Sequence, residues 1–275
     1  MSPTTIPGKM TLAKEFTVQD YMWSFPQQYG LWSPAEITTA LWLDAADAST
    51  VTTVSNAVSE WRDKSGNARH ATQSTAGERP TYTSAGQNGL NVLTFDGSND
   101  WLLLPNAAAP LGVNATFAAG KPNHTAASCC FVSREYYING WAIDSRDSGT
   151  AARYTFNANA TTSATLTNNT NKILTGIYNG SIVSISVNGG TATTTNNSTA
   201  PSHDARDLTV VGARFNNGGL PLASLYRGPM YEIIVLHSVP STDTRQRIEG
   251  YLAHKWGLTA NLPAGHPYKL VVPTP

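Results

Sequence analysis

The sequence predicts an all-β sandwich of two antiparallel sheets, closed by one C-terminal helix and preceded by an extended arm. Three observations predict it. About a dozen short apolar runs alternate with turn signals between Ala40 and His237. A helix pattern follows them, ending in RIEGYLAHKWGLTANLPAGHPY from Arg247 to Tyr268. The strand segment just before it, Tyr231 to His237 (YEIIVLH), is apolar on both faces, as a strand buried between two layers must be.

Residues 1–37 differ from the rest. Three prolines precede Trp32, no period survives, and Phe16, Tyr21, Trp23, Phe25, Tyr29 and Trp32 are crowded together. Such an arm has too little pattern for its own core and too many aromatics for water, so these six residues are expected to anchor it to a partner. The alternative is that the arm folds onto its own domain, which spans 38–275.

The strand segments begin with ALWLDA, AVSEWRD, LNVLTFDG and DWLLLP, and continue with ASCCFVS, GWAIDS and ARYTFNA. Lys172–Tyr178 and Ser181–Val187 flank Asn179-Gly180, which is expected to form a type I′ hairpin with positive φ at both positions. In the second of these strands Val183, Ile185 and Val187 should point inward, and Ser184 and Ser186 toward solvent. Asn188-Gly189-Gly190 marks the next turn, and LTVVGAR, ASLYRG and YEIIVLH complete the strands. In the helix, Ser241 suits the N-cap, Asp243 the first turn, His254 and Lys255 the last turn, and Gly257 the stop. Ile248, Tyr251, Leu252 and Trp256 share one face, which should cover the YEIIVLH strand.

Composition excludes some classes of function. The chain has 275 residues, 40% hydrophobic and only 13% charged, with zero formal net charge. No Lys/Arg cluster is interleaved with aromatics, so no nucleic-acid partner is expected. No 18-residue apolar run and no export signal occurs, so membrane insertion and Sec export are not expected. Cys129 and Cys130 are adjacent and cannot form an ordinary strand disulfide; one is expected to be buried and one half-exposed.

Four pieces of sequence point to a family: LWLDAADASTVT at 41–52, VSEWRDKSGNARHATQ at 58–73, RPTYTSAGQNGLNVLTFDGSNDWL at 79–102, and the closing RIEGYLAHKWGLTANLPAGHPY. With the YNGSIVSISVNG hairpin at 178–189, they resemble the concanavalin A-like lectin/glucanase superfamily. The likeness is specifically to the laminin-G-like jelly rolls of bacteriophage structural and bacterial surface proteins. It covers roughly residues 40–270 and leaves the arm outside. It implies a jelly-roll order for the two sheets, and loops that often bind calcium.

Few residues look chemical. Asp63, in DKSGNARH, and Asp96 and Asp100, in TFDGSNDW, read as turn makers. Calcium at these three is the alternative, although no DxDxDG loop is present. No cofactor is otherwise expected. Glycosidases of this architecture carry paired carboxylates about 5 to 9.5 Å apart. Here Glu60 with Asp63, Glu135 and Glu232 stand apart, and Glu232 is expected to be satisfied at the sheet edge or under the helix. The histidines lack zinc-ligand spacing, and His254 and His266 suit helix-end or turn hydrogen bonds. No enzyme is expected. For saccharide stacking the candidates are Tyr136, Tyr137 and Trp141 in EYYINGW, with Tyr226 as a further aromatic beside Asn216 to Gly219.

Together these features suggest a non-enzymatic bacteriophage virion structural protein, a head decoration, fibre or adhesin. It would display a lectin-like jelly roll at the virion surface and attach to other virion proteins through its arm. A host-surface glycan is a further expected partner, and a homo-oligomer the expected state. The alternatives are a carbohydrate-binding module of a bacterial surface or secreted protein, and a polysaccharide hydrolase.

Overall fold

A computed structural model describes residues 31–275, except 106–107, 124–127, 135–139, 147–148, 157–158, 198–207 and 216–221. Among the described residues the architecture is the expected two-layer antiparallel sandwich with one α-helix outside it.

The first layer has the order β1 (Leu41–Asp44), β19 (Arg227–Leu236), β8 (Asn114–Gly120), β13 (Lys172–Tyr178), β14 (Ile182–Val187) and β15 (Thr193–Asn196). Beside β1, the first half of β19 also pairs with β6 (Leu90–Asp96), and β6 with β5 (Thr81–Gln87). The second layer runs through β12 (Asn159–Thr165), β11 (Ala151–Phe156), β10 (Trp141–Arg146), β9 (Ser128–Arg134) and β16 (Thr209–Val211). It continues through β7 (Leu102–Leu104), β4 (Ala71–Thr72), β3 (Ala57–Trp61) and β2 (Val51–Val54). One pairing, Ala57 with Thr81, joins the layers at a corner. A short ribbon, β17 (Arg214–Phe215) with β18 (Leu222–Ala223), stands apart.

Paired residues share a face and alternate residues switch faces. Leu174, Tyr178, Val183 and Ile185 therefore meet Trp141, Ile143, Tyr154 and Phe156 in one core. Phe156 stacks on Tyr178 with centroids 3.8 Å apart. Gly176 makes this approach feasible, because a Cβ there would lie 2.6 Å from the Tyr154 ring.

Hairpin chemistry follows the turn residues, with one shift of register. Left-handed φ at both central positions, the type I′ requirement, occurs at Ser55-Asn56, Asn88-Gly89 and Asn188-Gly189. At the β13–β14 hairpin only Gly180 has positive φ. Asn179 instead uses its side-chain oxygen to accept from the N–H groups of Ser181 and Ile182, so the turn centres on Gly180-Ser181.

The helix, α1 (Thr242–Lys255), starts and stops where its caps dictate. Ser241 Oγ accepts from the Thr244 N–H, and Gly257 leaves the helix at φ +67°. Ile248, Tyr251, Leu252 and Trp256 are buried, and Trp256 stacks on Tyr231 at 4.9 Å, so α1 does cover the YEIIVLH strand. Consequently Ser184 and Ser186, expected in solvent, are half-buried and buried. The face they share with Thr175 is the one the helix lies on.

Both cysteines are free and buried, which corrects the expectation of one half-exposed thiol. Cys129 faces the main core, while Cys130 packs with Ala142 and sits against the Ile143 carbonyl.

Candidate functional site

An open cleft of about 220 Å³ lies on the outer face of the first layer, beside the first turn of α1. Its floor comes from the strand register. Thr175 pairs with Ser186 and Ile177 with Ser184, so one aliphatic and three hydroxyl side chains project from the same face. The turn after β14 adds Gly190, Thr191 and Ala192 as one wall, and Arg245 forms the other.

The Arg245 wall is held from behind. Glu249 is fully buried, and both its carboxylate oxygens accept from Arg245 Nη1 at 3.0 Å. Thr175 Oγ1 donates to it at 3.0 Å, and His266 Nε2 lies 3.3 Å away. Because His266 Nδ1 accepts from the Tyr268 N–H, a neutral imidazole carries its proton on Nε2 and donates it to Glu249. Ser186 is only 3% exposed, yet its hydroxyl makes no hydrogen bond with a described residue. That hydroxyl is not sealed from solvent but opens onto the cleft, which Ser186 lines.

A second polar cluster lies deeper and is closed. Lys255 Nζ, 1% exposed, donates to Asp44 at 2.6 Å, Glu232 at 2.9 Å and Tyr251 at 3.0 Å. Glu232 also accepts from the indole N–H groups of Trp42 and Trp256, and Asp44 from Lys64. Burial pushes Asp44 up, but the Lys255 and Lys64 charges outweigh it and hold it down at about 2. Glu232 is raised, since burial outweighs Lys255 there. Glu232 is thus satisfied under the helix, as expected, and the cluster clamps helix to sheet.

The turn aspartates behave as turn makers. Asp63 accepts from the N–H groups of Trp42, Ser65 and Arg69 and from the Ser65 hydroxyl. Asp96 Oδ1 accepts from three successive N–H groups, those of Ser98, Asn99 and Asp100. A cation at Asp63 would have to displace these donors, and among the described residues no three His, Cys, Asp or Glu side chains gather as a metal set. We predict that Asp63→Ala costs roughly 2–4 kcal/mol, because the buried Trp42 N–H loses its partner. Added calcium should leave the wild-type melting temperature unmoved; a rise of several degrees would overturn the turn-making role.

Other sequence candidates sit elsewhere. Trp141 is fully buried, packed on Tyr154 and donating to the Pro110 carbonyl, so it offers no ring face to a sugar. Tyr226 is likewise sealed between Phe95 and Phe131. Trp32, expected on a partner, is buried in its own domain, edge-on to Tyr251, with its backbone N–H donating to the Pro273 carbonyl. Residues 31–34, which precede the expected boundary at 38, are thus buried with the domain. Tyr136, Tyr137, Phe16, Tyr21, Trp23, Phe25 and Tyr29 lie outside the described residues. His254 makes the helix-end contact expected of it, to the Tyr268 carbonyl at 2.8 Å. Sequence reading missed Arg245 and the cleft, because a guanidinium in a first turn and a serine stripe look like ordinary surface.

No protein-family model matches this sequence, and no curated protein matches it. Solved structures do resemble the fold. Domain 4 of AbnA, an extracellular GH43 arabinanase from Geobacillus stearothermophilus solved with arabinotriose, matches with a TM-score of 0.53 and 12% identity, over 80% of this chain and 98% of that one. An arabinofuranosidase complexed with arabinofuranosyl-alpha-1,2-xylobiose matches with a TM-score of 0.54 and 13% identity, over 73% of this chain and 51% of that one. The binding domain of botulinum neurotoxin serotype D matches with a TM-score of 0.51 and 12% identity, over 77% and 50%. The chain thus has a β-sandwich fold similar to theirs.

Proposed function

We propose that this chain is a non-catalytic carbohydrate-binding module that seats a short saccharide in the cleft between the β13–β14 hairpin and α1. The observation that carries this reading is the floor of the cleft, where the Ser186 hydroxyl, which lacks a described partner, opens beside those of Thr175 and Ser184. Serine and threonine hydroxyls both donate and accept, which matches the mixed hydrogen bonding of a sugar ring. At about 220 Å³ the cleft is smaller than the ~300–1,000 Å³ pockets of drug-sized ligands, so it suits one sugar unit of a chain running past it. Among the described residues its lining contains no carboxylate or histidine to act as acid or base, which supports binding without hydrolysis. The arabinanase domain, whose fold is similar, was solved in complex with arabinotriose. Attachment to a virion through the arm draws no support from Trp32, which its own domain holds.

The test is a glycan panel read with the wild type and with Thr191→Trp, which places an indole at the exposed rim of the cleft. Saccharide binding weakened about tenfold or more by this change, at unaltered melting temperature, is the expected result. Binding indifferent to Thr191→Trp, or no binding across a broad panel, would overturn the reading.

A further inference from the structure

We propose that the cleft selects an acidic saccharide, seating the carboxylate of a uronic-acid unit on the guanidinium of Arg245. This rests on the binding reading above and adds the ligand class. Arg245 engages Glu249 through one nitrogen only, Nη1, which is shared between both carboxylate oxygens. Its Nε and Nη2 make no hydrogen bond with a described residue, and Arg245 lines the cleft. A guanidinium edge carrying two parallel N–H groups fits a carboxylate bidentately, the geometry that distinguishes arginine from a point charge.

The rest of the lining agrees. A neutral pyranose is usually held by an aromatic face together with amide or carboxylate acceptors, and the cleft lining has neither. Thr175 and Ser184 already donate to Glu249 and to the Ile177 carbonyl, which leaves the hydroxyls of Ser186 and Thr191 as donors toward an acceptor-rich ligand. Glu249 does not spoil the site for an anion. It is fully buried behind the wall, and Thr175, Arg245 and His266 compensate it.

Calorimetric titration of the full chain tests this with oligosaccharides containing galacturonate, glucuronate or mannuronate, each beside its methyl-esterified counterpart. At least one acid form should bind roughly 10- to 100-fold more tightly than its ester, the range of one charge-assisted hydrogen-bonded pair, and added salt should narrow the gap. Arg245→Gln should abolish the difference. Thr191→Glu, which leaves the Arg245–Glu249 contact untouched, should weaken the acid form more than the ester. Equal binding of acid and ester, with both lost in Thr191→Trp, would overturn the carboxylate inference and leave the saccharide cleft standing. Acid binding that survives Thr191→Trp, or no saccharide binding at all, would remove the cleft reading and this inference with it.

Discussion

Lys255→Met should lower the unfolding free energy by about 3–5 kcal/mol, the cost of breaking a buried ion pair from one side. Lys255 is the cation between two carboxylates that are both shut away from water. Asp44 would keep Lys64 at 2.8 Å, but Glu232 would keep only neutral donors, the two indoles and the Tyr251 hydroxyl. The loss should shrink as pH falls, because burial already raises Glu232 and removing the cation raises it further. Adding Glu232→Gln to the variant should restore much of the stability, since no unpaired charge then remains buried. Urea unfolding of the single and double variants measures both effects. A single-variant loss below about 1 kcal/mol would show that the clamp contributes little.

Asp100→Asn should act in the opposite direction and stabilise the protein at neutral pH by about 2 kcal/mol. Asp100 is 6% exposed and lies beside Asp96. Burial and the Asp96 charge push it up to about 6, against the pull of the Asp96 N–H, from an ordinary 3.8. A carboxyl whose folded value is raised binds its proton more tightly in the folded state. Its penalty is therefore absent below about 4, grows between about 4 and 6, and is complete above 6. Asparagine removes the charge and keeps an oxygen to accept the Asp96 N–H, now at 2.8 Å. The gain should be present at pH 8 and absent at pH 4, read as the difference in urea midpoints. Equal gains at both pH values would show that charge is not the cause. Asp44 has the reverse sign, its folded value being depressed to about 2, so the stability it contributes is present above about 4 and lost as pH falls toward 2 in both proteins.

Local signals made most of the fold legible. Ser241, Asp243 and Gly257 mark the ends of α1 correctly, because capping is decided within one turn of chain. The β13–β14 hairpin was visible in Asn179-Gly180, although the turn formed one residue later once the Asn179 side chain took two N–H groups. The central strand β8 was not legible. Asn114–Gly120 is alanine-rich, with little β propensity, and is a strand because β19 and β13 pair with its two edges. Trp141, Tyr226 and Trp32 misled for a related reason: an aromatic side chain has the same local signature in a core as on a binding surface.

Sequence by itself determined the class of the fold, the identity and limits of the C-terminal helix, the turn-forming role of Asp63, and the burial of the YEIIVLH strand between two layers. Each of these depends on periodicity, capping or turn chemistry, which act over a few residues. Only the tertiary structure decided that Asp44, Glu232 and Lys255 form one buried clamp, and that Ser186 and Arg245 face the same cleft. Those groupings join residues 23 to 211 positions apart, or bring a strand against a helix turn, and no local pattern encodes which distant side chains the sheet register will bring together.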